Sequence, residues 1–216
     1  IQHAKLLIMS IESKVLGQQV AYPTDYCPSI LVPVPRSLNR EIYDIHTPEE
    51  LFRGFDTWHA YEAGFLARNG LPVCGVLKLV YPANSPCIVE SKSLKLYLNS
   101  LNMTRLGEDI PSGIETYLQT VKSDLEQILQ TRIEATFFRQ APEKPYFDFQ
   151  DYTLLEATPG IERETFTEYN ENPALLESRT TGRGEIKVCS HLLRSNCKIT
   201  KQPDWGSIYI HIQQGL

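Results

Sequence analysis

The sequence predicts an α+β fold, an antiparallel sheet with two helices on one of its faces. Three observations carry that expectation. Asn69-Gly70 separates two apolar-rich stretches, two helical stripes follow, and a strand-like run comes after them.

In chain order, residues 1–33 are mixed in character and read as an irregular arm. Thr47-Pro48-Glu49-Glu50 has the form of a capping box with proline at the first helical position, which predicts a short helix. Asn-Gly is a strong hairpin signal because both residues tolerate positive φ, so 56–68 and 71–81 are expected as long antiparallel strands. Leu94, Tyr97, Leu98 and Leu101 fall at i, i+3, i+4 and i+7, one face of a helix. A second helix follows from Ser112 and Glu115 as a capping box and from the stripe Ile114, Leu118, Val121, Leu125 and Ile128. Residues 132–139 complete the unit as a strand.

The Pro-containing connector 141–145 marks a boundary, with a first module over 1–143 and a second over 144–216. In the second, Pro159-Gly160 and residues 181–184 read as loops. Ile208, Ile210 and Ile212 alternate with Tyr209, His211 and Gln213, the pattern of a half-buried strand. If the second module repeats the first, its two helices and last strand are absent, so it is expected to be incomplete.

Composition narrows the class. Hydrophobic residues at 42% and charged residues at 22% are ordinary for a soluble globular protein. The longest apolar run near the N-terminus, Leu6 to Met9, is too short for a secretory core or a membrane span, and a cytoplasmic protein is expected. A net charge of -5 argues against a broad nucleic-acid surface, so a small-molecule substrate is expected. The five cysteines, Cys27, Cys74, Cys87, Cys189 and Cys197, are odd in number and show no CxxC spacing. Neither a disulfide framework nor a zinc site is indicated. No GxGxxG follows a strand, which argues against a Rossmann cofactor domain.

Three blocks carry a family resemblance. They are Val34-Pro35-Arg36-Ser37-Leu38-Asn39-Arg40, then Glu90-Ser91-Lys92-Ser93-Leu94-Lys95-Leu96-Tyr97 continued by Leu98-Asn99-Ser100, then Ser190-His191-Leu192-Leu193-Arg194-Ser195-Asn196-Cys197 with Gln202-Pro203-Asp204-Trp205-Gly206-Ser207. Over about 34–212 the chain resembles the NADPH-dependent 7-cyano-7-deazaguanine (preQ0) reductases of queuosine synthesis. The order of the blocks is that of the longer, two-module subclass. The resemblance implies the tunnelling fold (T-fold), assembly through sheet edges into a homo-oligomer, and reduction of a nitrile to a primary amine with two NADPH. It implies Cys197 as nucleophile, Asp204 as acid, and Glu90 as the group that reads the deazaguanine ring. The family also uses a His-Glu pair downstream of the cysteine, and no His-Glu dipeptide occurs here.

The chemistry suits those residues. A soft thiolate adds to a nitrile carbon to give a thioimide, a C=N centre that accepts hydride. Protonating its nitrogen needs an acid within hydrogen-bond reach, and Asp204 lies seven residues beyond Cys197. Partial burial has to raise its pKa for that role. One Glu90 carboxylate can accept from two adjacent ring N–H groups, with Ser91 adding a polar contact. Lys92 and Lys95, beside Ser91 and Ser93 in the first turn of a helix, make an anion site for NADPH phosphates together with the free N–H groups there.

Spacing alone favours blander roles: a buried structural thiol for Cys197, a turn residue for Asp204, a solvated strand end for Glu90, and outward-facing lysines. His59, His191 and His211 lack metal-ligand spacing and are assigned no role. Two other classes compete. One is an inactive remnant that binds a deazapurine or pairs with a complete subunit. The other is a zinc-dependent T-fold enzyme acting on a pterin or GTP, which the lack of a Cys/His cluster disfavours.

Overall fold

The computed structural model describes residues 23–51, 53–140, 149–170, 172–175, 184–196 and 202–214. The chain divides into two compact units, Ile1–Glu143 and Lys144–Leu216. It is a mixed α+β structure built largely on antiparallel pairing. No helix among the described residues is long and apolar enough to cross a membrane.

In the first unit, β1 (Pro33–Pro35) leads through α1 (Ser37–Arg40) and α2 (Pro48–Leu51) to the long strands β2 (Phe55–Leu66) and β3 (Pro72–Pro82). Strand β4 (Cys87–Val89) then enters α3 (Ser91–Ser100), followed by α4 (Ile110–Leu129) and β5 (Glu134–Phe138). One sheet has the order β2-β3-β5, antiparallel throughout, while β1 and β4 form a separate antiparallel pair. Side chains alternate along β3, so Val73, Leu77, Leu79 and Tyr81 all point to one face and are buried. Leu94, Tyr97, Leu98 and Leu101 of the α3 region join the same core, as the helical spacing predicts, and so do Val121 and Leu125 of α4. The rings of Phe65 and Tyr117 stack with centroids 5.6 Å apart, closing the core near the hairpin end.

Three details differ from expectation. The β2–β3 connection is wider than a two-residue turn: Gly70 donates to the Ala67 carbonyl, and Ala67 in turn donates to the Leu71 carbonyl. Only Gly70 uses positive φ (87°), while the Asn69 side chain accepts from the Leu71 N–H. Helix α4 starts earlier than the Ser112–Glu115 box suggests. Asp109 is its N-cap, and Ser112 is the third helical residue that reciprocates. The buried stripe accordingly centres on Tyr117, Val121, Leu125 and Leu129, with Ile114, Leu118 and Ile128 flanking it.

Residues 26–32 run along α3 as a strap. The Tyr26 and Tyr97 hydroxyls both donate to Asp124 Oδ2, at 2.7 and 2.6 Å. Cys27 N–H donates to Ser100 Oγ at 3.2 Å, and Val32 N–H to Ser93 Oγ at 3.1 Å.

In the second unit, β6 (Thr153–Leu154) pairs with β7 (Gly184–Asn196), which forms a long hairpin with β8 (Pro203–Gln214). The β6–β7 pairing is parallel, so this sheet is not purely antiparallel as expected. The stretch that forms β6 carries no periodic signal in the sequence. The two hairpins share a register. β2 carries an extra residue between Ala60 and Ala63, β7 one between Ser190 and Leu193, and four pairs separate each bulge from its turn. Counted from the turn, Leu77, Leu79 and Tyr81 correspond to Ile208, Ile210 and Ile212. The first three are 0–1% exposed against helices, whereas the isoleucines are 36–43% exposed.

Two predictions follow from the packing of the first unit. Leu125→Ala empties a fully buried position and is expected to cost about 2–5 kcal/mol in urea unfolding, against little change for Ile212→Ala. Burial first, then the Asp124 hydrogen bond and charge, push the Tyr26 phenol up to about 12, and the same causes raise Tyr97 further. Unfolded phenols ionise near pH ~10. Their contribution to stability is therefore full below that pH and is lost as pH rises toward about 12. Urea midpoints measured up that range should fall in the parent and fall less steeply in Asp124→Asn.

Candidate functional site

The start of α3 is built around one carboxylate. Glu90 leaves β4 with extended backbone (φ -71°, ψ 129°) and caps the helix. Its Oε1 accepts from Lys92 N–H at 3.0 Å and its Oε2 from Ser93 N–H at 2.7 Å. Glu90 is only 7% exposed. A buried carboxylate needs such partners, and the first turn of a helix offers N–H groups with no others. Each oxygen keeps a further lone pair for a ligand.

The neighbouring candidates are placed unequally. Ser91 is exposed. Lys95 is also at the surface, with its Nζ 3.3 Å from Glu62 Oε1 in the β2 bulge. Ser93 is buried, and its hydroxyl bonds within the protein. The expectation of free N–H groups for an anion is corrected here. The Lys92 and Ser93 amides are taken by Glu90, so any phosphate held at this turn depends on the lysine ammonium groups and Ser91.

The approach to Glu90 is fixed by the block around Arg36. The Arg36 guanidinium pairs with Asp56, and its Nε donates to Ser85 Oγ at 3.0 Å. Ser85 Oγ donates in turn to the Cys87 carbonyl at 2.9 Å, at the start of β4. The backbone of Arg36 donates to Pro86 at 3.0 Å, and Arg40 reaches the Ala83 carbonyl at 2.7 Å. These contacts give the 34–40 block a place in the fold that its residue types alone did not disclose.

In the second unit, Cys197 lies outside the described residues. Its neighbour Asn196 pairs with Pro203, and Ser195 pairs with Asp204. Asp204-Trp205-Gly206 is therefore strand rather than the turn that spacing suggested, and Pro203 already belongs to β8. The position of Asp204 and Ser195 corresponds to Val73 and Phe65 in the first hairpin, both buried in the core. The second hairpin thus carries a carboxylate and a hydroxyl, both exposed, where the first carries two apolar side chains, so the partial burial expected of Asp204 is not met among the described residues. Nearby, the bulge residue His191 bonds Ser207 Oγ through Nδ1 at 2.8 Å, and its N–H donates to Glu156 Oε1 at 2.6 Å. That backbone hydrogen bond is the main cause holding Glu156 below the usual carboxylate range. His211 pairs with Glu185 at 2.5 Å. Among the described residues, no group of three His, Cys, Asp or Glu side chains is placed to hold a metal.

A family model described as nitrile reductase, 7-cyano-7-deazaguanine-reductase N-term, matches residues 22–137. The chain is 36% identical over 206 residues to the NADPH-dependent 7-cyano-7-deazaguanine reductase of Acinetobacter baumannii (strain ACICU), spanning 95% of this chain and 72% of that protein. A protein of the same name from Coxiella burnetii (strain Dugway 5J108-111) is 37% identical over 201 residues, spanning 93% of this chain and 69% of its own length. The chain belongs to the 7-cyano-7-deazaguanine reductase family. The resemblance carried by the three sequence blocks is borne out at that level.

Within this nitrile reductase family chain, the capping role of Glu90 is visible in the structure and not in its residue type. Glu90 and Ser93 stand at the N-cap and third helical positions, a spacing that signals a cap, although glutamate is an uncommon cap residue. Glu90→Ala is expected to lower stability by about 1 kcal/mol through the lost cap, while Glu90→Asp, a better capping side chain, should hold it near the parent value. Urea unfolding of the two variants checks this, and an Ala variant as stable as the parent contradicts it.

Proposed function

We propose that the chain catalyses NADPH-dependent reduction of the nitrile of 7-cyano-7-deazaguanine to the aminomethyl group of 7-aminomethyl-7-deazaguanine. The observation that carries this reading is the identity to reductases of that name, which extends over 95% of this chain in one relative and 93% in another.

NADPH supplies hydride to carbon when bound. Cys197 is the nucleophile, adding its thiolate to the nitrile carbon so that sp carbon becomes an sp² centre able to accept that hydride. Asp204 delivers the proton to the nitrogen as the thiolate adds, and its placement at a register position given to core side chains in the first hairpin supports a polar role there. Glu90 accepts two N–H groups from the pyrimidine edge, and Ser91 adds a contact at the exposed rim. The cofactor phosphates are held by Lys92, Lys95 and Ser91, with Ser93 beneath them.

The first unit, with two helices on one face of an antiparallel sheet, supports a T-fold module over 1–143. The β7–β8 hairpin, sharing the bulge register of β2–β3, supports a second module over 144–216. Sheet edges in such a fold favour pairing between copies, so the protein acts as a homo-oligomer. Working on a small-molecule precursor of a tRNA base, it acts in the cytoplasm and needs no nucleic-acid surface.

Intact mass after incubation with 7-cyano-7-deazaguanine tests the nucleophile. The parent should gain the mass of one substrate molecule and Cys197→Ala should gain none. No gain in the parent, or an equal gain in both, removes the thioimide step from this chain.

A further inference from the structure

The Ser93 hydroxyl is used entirely inside the protein. The residue is 0% exposed. Its Oγ donates to the Glu90 carbonyl at 2.8 Å and accepts from Val32 N–H at 3.1 Å. Its own N–H donates to Glu90 Oε2 at 2.7 Å, and Glu90 N–H donates to the Val32 carbonyl at 2.9 Å. Ser93 thus holds Glu90 at both backbone and carboxylate, and joins it to the strap that runs into β1. A hydroxyl with its one proton donated and an N–H accepted at full burial is not available to a ligand arriving from solvent.

We propose that Ser93 is a positioning residue for Glu90. It sets the depth and direction at which the carboxylate meets the substrate ring, and it takes no direct part in holding NADPH. The inference rests on the reading of Glu90 as the ring-binding group. Accepting two parallel N–H groups demands that both carboxylate oxygens be held to within about 0.5 Å, which a flexible glutamate achieves only if its neighbours lock it. Removing the Ser93 oxygen leaves the Glu90 carbonyl served by Leu94 N–H at 3.0 Å, but it strips Val32 N–H of its acceptor and lets the strap part from the helix. The exposed residues of the same turn, Ser91 and Lys95, remain for the cofactor.

The test is calorimetric titration of the full chain in a Cys197→Ala background, with 7-cyano-7-deazaguanine and separately with NADPH. Ser93→Ala is expected to weaken the deazaguanine about tenfold and to leave NADPH within about twofold. Val32→Pro deletes the same hydrogen bond from the other side without touching α3. Its preceding residue, Leu31, already has the extended backbone (φ -65°, ψ 132°) that a following proline requires. It should show the same selective loss, and the double variant should be no worse than either single one. Equal losses for both ligands, or a loss confined to NADPH, overturn the proposal. A parent that binds no 7-cyano-7-deazaguanine overturns the proposed function instead. The clamp is then judged by amide exchange: Ser93→Ala must speed exchange at Glu90 about tenfold with Val121 in α4 unchanged, and an unaltered Glu90 overturns it.

Discussion

The capping of α3 by Glu90 is the interaction on which the first unit turns. A carboxylate this buried is tolerable only with strong donors, and the amides of Lys92 and Ser93 provide them. That fixes where the helix begins, hence which residues face inward. With Glu90 as N-cap, Leu94, Tyr97, Leu98 and Leu101 fall on the sheet while Ser91 and Lys95 remain outside. The β1–β4 pair delivers the chain to this point, and Arg36, bound to Asp56 and Ser85, holds that pair against β2 and the loop before β4. The stretch from Glu90 to Ser100 is therefore one mechanical unit, in which cap, strap and helix face constrain one another.

The two hairpins solve the same geometric problem with different side chains. Each bends at a bulge one residue longer on its first strand, four pairs from its turn. In the first, the inward face is apolar to the tip and ends in Val73 and Phe65. In the second, the apolar run stops at Ile208, and Asp204 and Ser195 occupy the tip next to Cys197 in the sequence. At a fixed register the second hairpin therefore ends in two exposed polar side chains where the first ends in two buried apolar ones.

Much of this was legible in the sequence, and the exceptions have physical causes. The α3 face was readable because its periodicity is uninterrupted and ends in buried side chains, and β3 because Asn69-Gly70 marks the hairpin to which it belongs. The start of α4 is not legible locally, because Ser112 and Glu115 have the right spacing for a box while the residue that acts, Asp109, stands before the Ile110-Pro111 pair. Tyr117 was missed as the centre of that stripe because its polar handle hides its ring from a purely apolar count. The tyrosine pair on Asp124 spans 98 residues for Tyr26, a distance at which no local pattern signals contact. Of the candidate site, the location of Glu90 at a strand-to-helix junction was legible, whereas the consumption of the helix amides by its carboxylate was not. Asp204 was identified by family likeness, since a carboxylate before Trp-Gly reads locally as a turn.

The central claim is that this chain carries out a four-electron reduction, and electron counting tests it most directly. NADPH oxidised and 7-aminomethyl-7-deazaguanine formed should be measured in the same reaction. The account predicts two NADPH consumed for each amine released, with no consumption in the absence of the nitrile. A ratio of one, or NADPH loss without amine, contradicts it.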